Sequence, residues 1–157
     1  MATEKFLPYA RQSINESDIQ MVSESLRQDV ITRGKNVEAF EKAVASYTEA
    51  KYAVAFSNGS AALFAAFQAK GGNSSDTIFT TPNSFVATAS GGKRLGMSVH
   101  FSDIDTNGNI DLDLLEKEIN RPRSRGRAFV VPVHFAGVAC DMKRLSEMIK
   151  AVDTIII

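Results

Sequence analysis

Tyr52 to Leu63 reads YAVAFSNGSAAL, and the fold turns on it: an apolar run of β type breaks at Ser57-Asn58-Gly59-Ser60 and enters an alanine-rich helical stretch. A strand that passes through a tight polar turn into a helix opens an α/β unit. The first turn of a helix carries unpaired N–H groups and the positive end of its dipole, so this turn can seat an anion. Gly59 lets the backbone approach closely, and Ser57 and Ser60 add hydroxyl donors. The same residues also suit an ordinary helix cap, for which Ser and Asn are preferred. Taken alone, the stretch leaves both readings open.

Upstream, Asn15 to Gln28 places Ile19, Val22 and Leu26 at helical spacing behind the polar starters Asn15 and Ser17, which predicts a first helix. After Thr32-Arg33-Gly34, Asn36 is expected to cap a second helix with Val37, Phe40, Val44 and Tyr47 on its apolar face. Downstream, the pattern alternates. Strands are expected at Tyr52–Phe56, Thr77–Thr80, Met97–Phe101 and Ala128–Phe135, and helices at Gly59–Lys70, Phe85–Leu95, Leu112–Asn120 and Asp141–Val152. Gly91 and Gly92 weaken the second of these helices. Such alternation predicts an α/β domain with a mostly parallel sheet covered on both faces, its ligands at strand carboxyl ends. The final Thr154-Ile155-Ile156-Ile157 is a buried-strand pattern with no loop or polar tail after it, so the chain is expected to be a truncated piece.

Composition narrows the function classes. At 157 residues and 44% hydrophobic, the chain suffices for one globular domain with a sizeable core. Lys plus Arg equals Asp plus Glu at 18 each, so no net field draws it to nucleic acid or an anionic membrane. The lone Cys140 cannot form an internal disulfide, and the N-terminus lacks a signal peptide's apolar core, which together point to the cytoplasm. No apolar run approaches the roughly 20 residues of a membrane span.

Three further segments invite a chemical reading. Asp103 to Asp111 follows a calcium-loop pattern through its ninth position, but the twelfth is Leu114 where a bidentate Glu belongs, and the preceding MSVHF is strand-like. An Asp/Asn/Gly turn leading to an Asp111 cap accounts for it better. Arg121, Arg123, Arg125 and Arg127 could grip a diphosphate, yet no aromatic residue interleaves, and a solvated connection is the plainer reading. His134, at the end of VVPVHF, stands where α/β sheets bind ligands, whereas His100 lies within a strand pattern and reads as structural. There is no metal cluster, Ser-His-Asp set, Walker loop or G-x-G-x-x-G motif.

In this order, TRGKNVEAFE, AVAFSNGSAAL, TTPNSFVATA, SDIDTNGNIDLDLLEKEI and VPVHFAGVACDM resemble the N-terminal part of the DegT-type sugar-nucleotide aminotransferases. The resemblance spans nearly the whole chain, and its wording is most similar to the branch that makes the amino sugar leading to pseudaminic acid. It implies the aspartate-aminotransferase-like (type I) pyridoxal-phosphate fold. Residues 1–14 would form an N-terminal arm, and 15–157 the N-terminal half of the large cofactor-binding domain. It implies pyridoxal phosphate as cofactor, with Gly59, Ser60 and Ala61 at its phosphate and Phe85 against its pyridine ring. On the substrate side it implies Thr32, Gly34, Tyr9 and His134. The implied partners are a nucleotide-sugar substrate, an amino donor such as glutamate, and a second copy of the chain. The implied setting is cell-surface or flagellar polysaccharide biosynthesis.

Two departures matter. Asn58-Gly59-Ser60 stands where the family commonly shows Ser-Gly-Thr, which keeps a hydroxyl. The aspartate that pairs with the pyridine nitrogen and the lysine that joins the cofactor's aldehyde come later in the family, and no block here matches either. The 157 residues alone are therefore expected to be inactive. The competing expectation is a non-catalytic α/β module that binds a phosphorylated ligand through Gly59 and Ser60.

Overall fold

A computed structural model describes residues 6, 8, 10–121, 126–151 and 154–157. The chain divides into two units, Met1–Ala55 and Phe56–Ile157. Tyr9, Arg123 and Arg125 lie outside the described residues.

In the first unit, α1 (Glu16–Leu26) starts where the sequence predicts, because Asn15 and Asp18 form a reciprocal capping box. The second helix, α2 (Lys35–Tyr47), begins two residues earlier than expected, with Gly34 at the cap. Asn36 is therefore not a cap. It lies in the first turn, and its amide donates to Ser25 Oγ at 2.6 Å, tying α2 to α1. No residue of either helix is buried, and Ile19, Val22, Leu26 and Phe40 face outward.

The expected strand at Tyr52–Phe56 does not form. The segment is irregular, Tyr52 is 76% exposed, and no ladder partner lies beside it among the described residues. A strand is a pairwise structure, so an alternating pattern without a neighbour to bond stays unassigned.

The second unit carries α3 (Gly59–Ala69), β1 (Thr77–Thr80), α4 (Ala87–Lys93), β2 (Ser98–Phe101), α5 (Leu112–Ile119), β3 (Ala128–Val130), α6 (Met142–Met148) and β4 (Thr154–Ile156). Its four strands form an all-parallel sheet in the order β2-β1-β3-β4. Successive side chains point to opposite faces, and both faces are covered. Phe79, Ala128 and Val130 meet Leu112, Leu115, Ile119 and Leu145 of α5 and α6, while Ile78, Phe129 and Val131 meet Phe67 of α3 and Met97. Gly91 and Gly92, which weaken α4 in isolation, let it lie against the sheet: a Cβ on Gly92 would fall 2.5 Å from Ile78 Cδ1. The observed α4 is shorter than the expected Phe85–Leu95 helix by two residues at each end. Likewise β3 stops at Val130 and does not run on to Phe135, because Pro132 has no N–H to give the ladder and a 3-10 turn occupies Phe135–Gly137.

Asp76 fastens these parts together. This buried carboxylate accepts the Arg127 backbone N–H at 2.8 Å, the Arg127 guanidinium at 3.0 Å and the Asn73 N–H at 3.1 Å. Arg127 also donates to the carbonyls of Lys70 and Gly71 at the end of α3, and its guanidinium lies over the Phe129 ring. The arginine run thus contributes a structural clamp. Burial alone would raise the Asp76 pKa, but the hydrogen bonds from Arg127 and Asn73 outweigh it and hold the carboxyl below its ordinary range. A depressed folded-state pKa gives stability that is present above the unfolded value and lost as pH falls through the folded one. Asp76→Ala is therefore expected to cost about 2–4 kcal/mol in urea denaturation near neutrality. It should cost progressively less below about pH 4. An equal cost at neutral and strongly acid pH would show that the ionised clamp is not what stabilises the unit.

Candidate functional site

Strand order marks where a ligand can enter. From β1 the chain crosses by α4 to β2 on one side, then returns by α5 to β3 on the other side of β1. Helix α4 contributes to one face and α5 to the opposite face, so the carboxyl ends of β1 and β3 flank a topological switch point, where open α/β sheets bind ligands. The loop after β1 carries Phe85, and the loop after β3 carries His134.

Both loops are tied to the Asp105–Asn109 turn. Asp105 Oδ1 accepts the N–H groups of Asn107 and Asn109, and Ile104 bridges Ile110, so the calcium-like segment is the Asx turn expected of it. Asp111 then caps α5 by accepting from Asp113 and Leu114. No group of three or more potential metal ligands occurs among the described residues. Asn83, in the β1 loop, donates to Gly108 O at 3.2 Å. Asn109 is nearly fully buried; it accepts the Phe135 N–H at 3.0 Å and donates to Val138 O at 3.2 Å. One tight turn therefore positions the Phe85 loop and the His134 loop together. Asn83 and Asn109 escape a sequence reading, because their value lies in contacts 25 to 29 residues away.

Phe85 is 74% exposed and stands beside a hollow bounded by Thr80, Thr81, Pro82, Ser84 and Phe101. Its ring is available as a flat apolar surface for stacking. His134 is exposed as well; its Nδ1 accepts the Cys140 N–H at 3.1 Å. Cys140 is buried, its thiol donates to Val133 O at 3.2 Å, and burial pushes its pKa up, so it closes the loop and is a poor nucleophile. His100 packs on Phe79 and approaches Glu118 at 3.1 Å, the structural place expected of it.

At the start of α3, Asn58 caps the helix and its Oδ1 takes the Ala61 N–H at 2.9 Å. The N–H groups of Gly59 and Ser60 have no partner among the described residues, and a Cβ on Gly59 would meet nothing within 4 Å. Two of the three donors read from the sequence are thus open to an anion, and the third is engaged by the cap. This open backbone at a helix N-terminus suits a cofactor phosphate.

In the first unit, Gly34 lines a hollow with Arg27, Val30, Arg33, Lys35 and Glu38, whereas Thr32 is exposed and not part of that lining. Gly34 is required sterically: a Cβ there would lie 2.6 Å from Val30 O.

Solved structures similar to this parallel α/β sheet are pyridoxal-phosphate-dependent aminotransferases, and the chain has their fold. The chain belongs to the DegT/DnrJ/EryC1/StrS aminotransferase family, whose pattern matches residues 12–157. The family and its structural neighbours, solved in PLP and PMP forms, are pyridoxal-phosphate-dependent aminotransferases. The spore coat polysaccharide biosynthesis protein SpsC of Bacillus subtilis is 42% identical over 87% of this chain and 34% of its own length. The UDP-4-amino-4,6-dideoxy-N-acetyl-beta-L-altrosamine transaminase of Campylobacter jejuni is 35% identical over 92% of this chain and 38% of its own. Among solved structures, Helicobacter pylori PseC, an aminotransferase involved in the biosynthesis of pseudoaminic acid, superimposes with a TM-score of 0.85 at 27% identity, covering 97% of this chain and 41% of that one. The chain thus spans 34–41% of the length of these relatives. Among the described residues no helix is long and apolar enough to cross a membrane.

Proposed function

We propose that this chain supplies the phosphate-side and ring-side part of an aminotransferase that moves an amino group from an amino acid, glutamate in our reading, onto a keto sugar attached to a nucleotide. The observation that carries this reading is the pair of open N–H groups on Gly59 and Ser60 at the start of a helix eleven residues long. They bind the cofactor phosphate, Ser60 adds its hydroxyl, and Phe85 packs on the pyridine ring. Pyridoxal phosphate, when bound, supplies the electron sink for the transfer. Thr32, Gly34, Tyr9 and His134 belong to the substrate side in this reading. The family match and the relatives' nucleotide-sugar and polysaccharide names support the substrate class and a role in amino-sugar biosynthesis, which we place in the cytoplasm.

Gly59→Pro tests the phosphate seat cleanly. Gly59 is the first helical residue and Asn58 before it is extended (φ −166°, ψ 165°), so proline fits there and deletes one N–H without breaking α3. Affinity for pyridoxamine phosphate, read by calorimetry, is expected to fall about tenfold or more. Helix content by circular dichroism should hold. Unchanged affinity in a folded variant would refute the seat.

We further propose that the lysine joined to the cofactor's aldehyde is not among these 157 residues. Borohydride reduction of the chain with pyridoxal phosphate should leave no adduct confined to one lysine, and a stoichiometric single-site adduct by mass spectrometry would contradict this. The outward apolar faces of α1 and α2 support association with a second copy. Sedimentation is expected to show self-association, and a stable folded monomer at high protein concentration would count against it.

A further inference from the structure

The loop after β3 fixes the chemistry of one imidazole. Cys140 donates its backbone N–H to His134 Nδ1 at 3.1 Å, so Nδ1 is the acceptor and the neutral ring carries its proton on Nε2. That arrangement is braced from several directions. Cys140 Sγ holds Val133 O at 3.2 Å, and Asn109 grips both Phe135 N and Val138 O. Ala136 sits at φ 49° in the left-handed region, a conformation a non-glycine residue keeps only where its surroundings impose it. The Nε2 atom has no partner among the described residues, and the side chain is exposed at the carboxyl end of β3, beside the switch point.

We infer that His134 is a fixed-tautomer hydrogen-bond donor, presenting Nε2–H to an acceptor oxygen of the phosphorylated ligand bound at this end of the sheet. The inference rests on the proposed function and gives His134 a stated role within it. One ring nitrogen of His134 is engaged by Cys140, and the other faces outward with no partner among the described residues. The acceptor is an oxygen of either the cofactor or the nucleotide substrate, which share the same chemistry, and two ligands separate them. Asn109 is the positioning residue, because its two hydrogen bonds keep residues 134–140 in the form that fixes the tautomer.

The test uses the full chain labelled with 15N at its two histidines. At about pH 8, where histidine is ordinarily neutral, long-range 1H–15N correlation of the free protein is expected to show an acceptor-type Nδ1 and a protonated Nε2 on His134. A protonated Nδ1, or an equal mixture of tautomers, would overturn the proposal without any variant. Pyridoxamine phosphate and UDP are then titrated separately while the backbone signals of Gly59 and Ser60 are followed. One of the two ligands should move the His134 Nε2 signal and thereby name the source of the acceptor. His134→Phe should weaken that ligand about tenfold or more, and His134→Gln, which keeps an N–H donor, should restore most of the loss. Movement of Gly59 and Ser60 with none at His134, or equal affinity in the His134→Phe variant, would refute the donor role and leave the phosphate seat standing. No movement at Gly59, Ser60 or His134 with either ligand would overturn both.

Discussion

The carboxylate of Asp76 is the point on which the second unit depends. It sits one residue before β1, and Arg127 sits one residue before β3, so their contact brings two strands distant in sequence into parallel register, Thr77 opposite Ala128. The same guanidinium holds the carbonyls of Lys70 and Gly71 just past α3, so the helix that carries Gly59 at its other end is anchored to the sheet by its C-terminal cap. A buried carboxylate with four hydrogen bonds, two of them from a guanidinium and a backbone N–H of one residue, is costly to leave half-made. It therefore specifies which strand ends lie together as well as adding stability.

From that anchor the geometry of the ligand end follows. With β1 and β3 adjacent and their crossovers on opposite faces, the loops carrying Phe85 and His134 emerge side by side at the switch point. Two asparagines convert that proximity into fixed positions. Asn83 reaches from one loop and Asn109 reaches to the other, both through the Asp105–Asn109 turn. The turn that imitates a calcium loop thus does its work by hydrogen bonds to backbone. Its acidic side chain, Asp105, is spent on its own turn.

Much of this was legible in the sequence, and the misses have physical causes. Local signals read true: the Asn15 start, the Asp111 cap, the Thr77–Thr80 strand and the Gly59 helix each depend on a few consecutive residues. What needed a distant partner did not. Tyr52–Phe56 has the pattern of a strand and no ladder partner among the described residues, and Arg127 reads as part of a solvated run because its carboxylate lies 51 residues away. Asn36 was mistaken for a cap because cap preference ranks Asn above Gly, while the 2.6 Å approach of a Gly34 Cβ to Val30 O admits only glycine at that turn. Within the proposed site, Gly59, Ser60 and Phe85 come from the family resemblance, whereas the engagement of the Ala61 N–H by Asn58 and the hydrogen bond that fixes His134 Nδ1 are visible only in three dimensions.

The proposed function depends on an anion seat at the start of α3, at Gly59 and Ser60. A crystal structure of the chain with pyridoxamine phosphate tests that most directly. Phosphate oxygens are expected about 2.7–3.2 Å from the amide nitrogens of Gly59 and Ser60, with the Phe85 ring against the pyridine. A bound ligand whose phosphate lies away from that turn, with both N–H groups still unoccupied, would contradict the account.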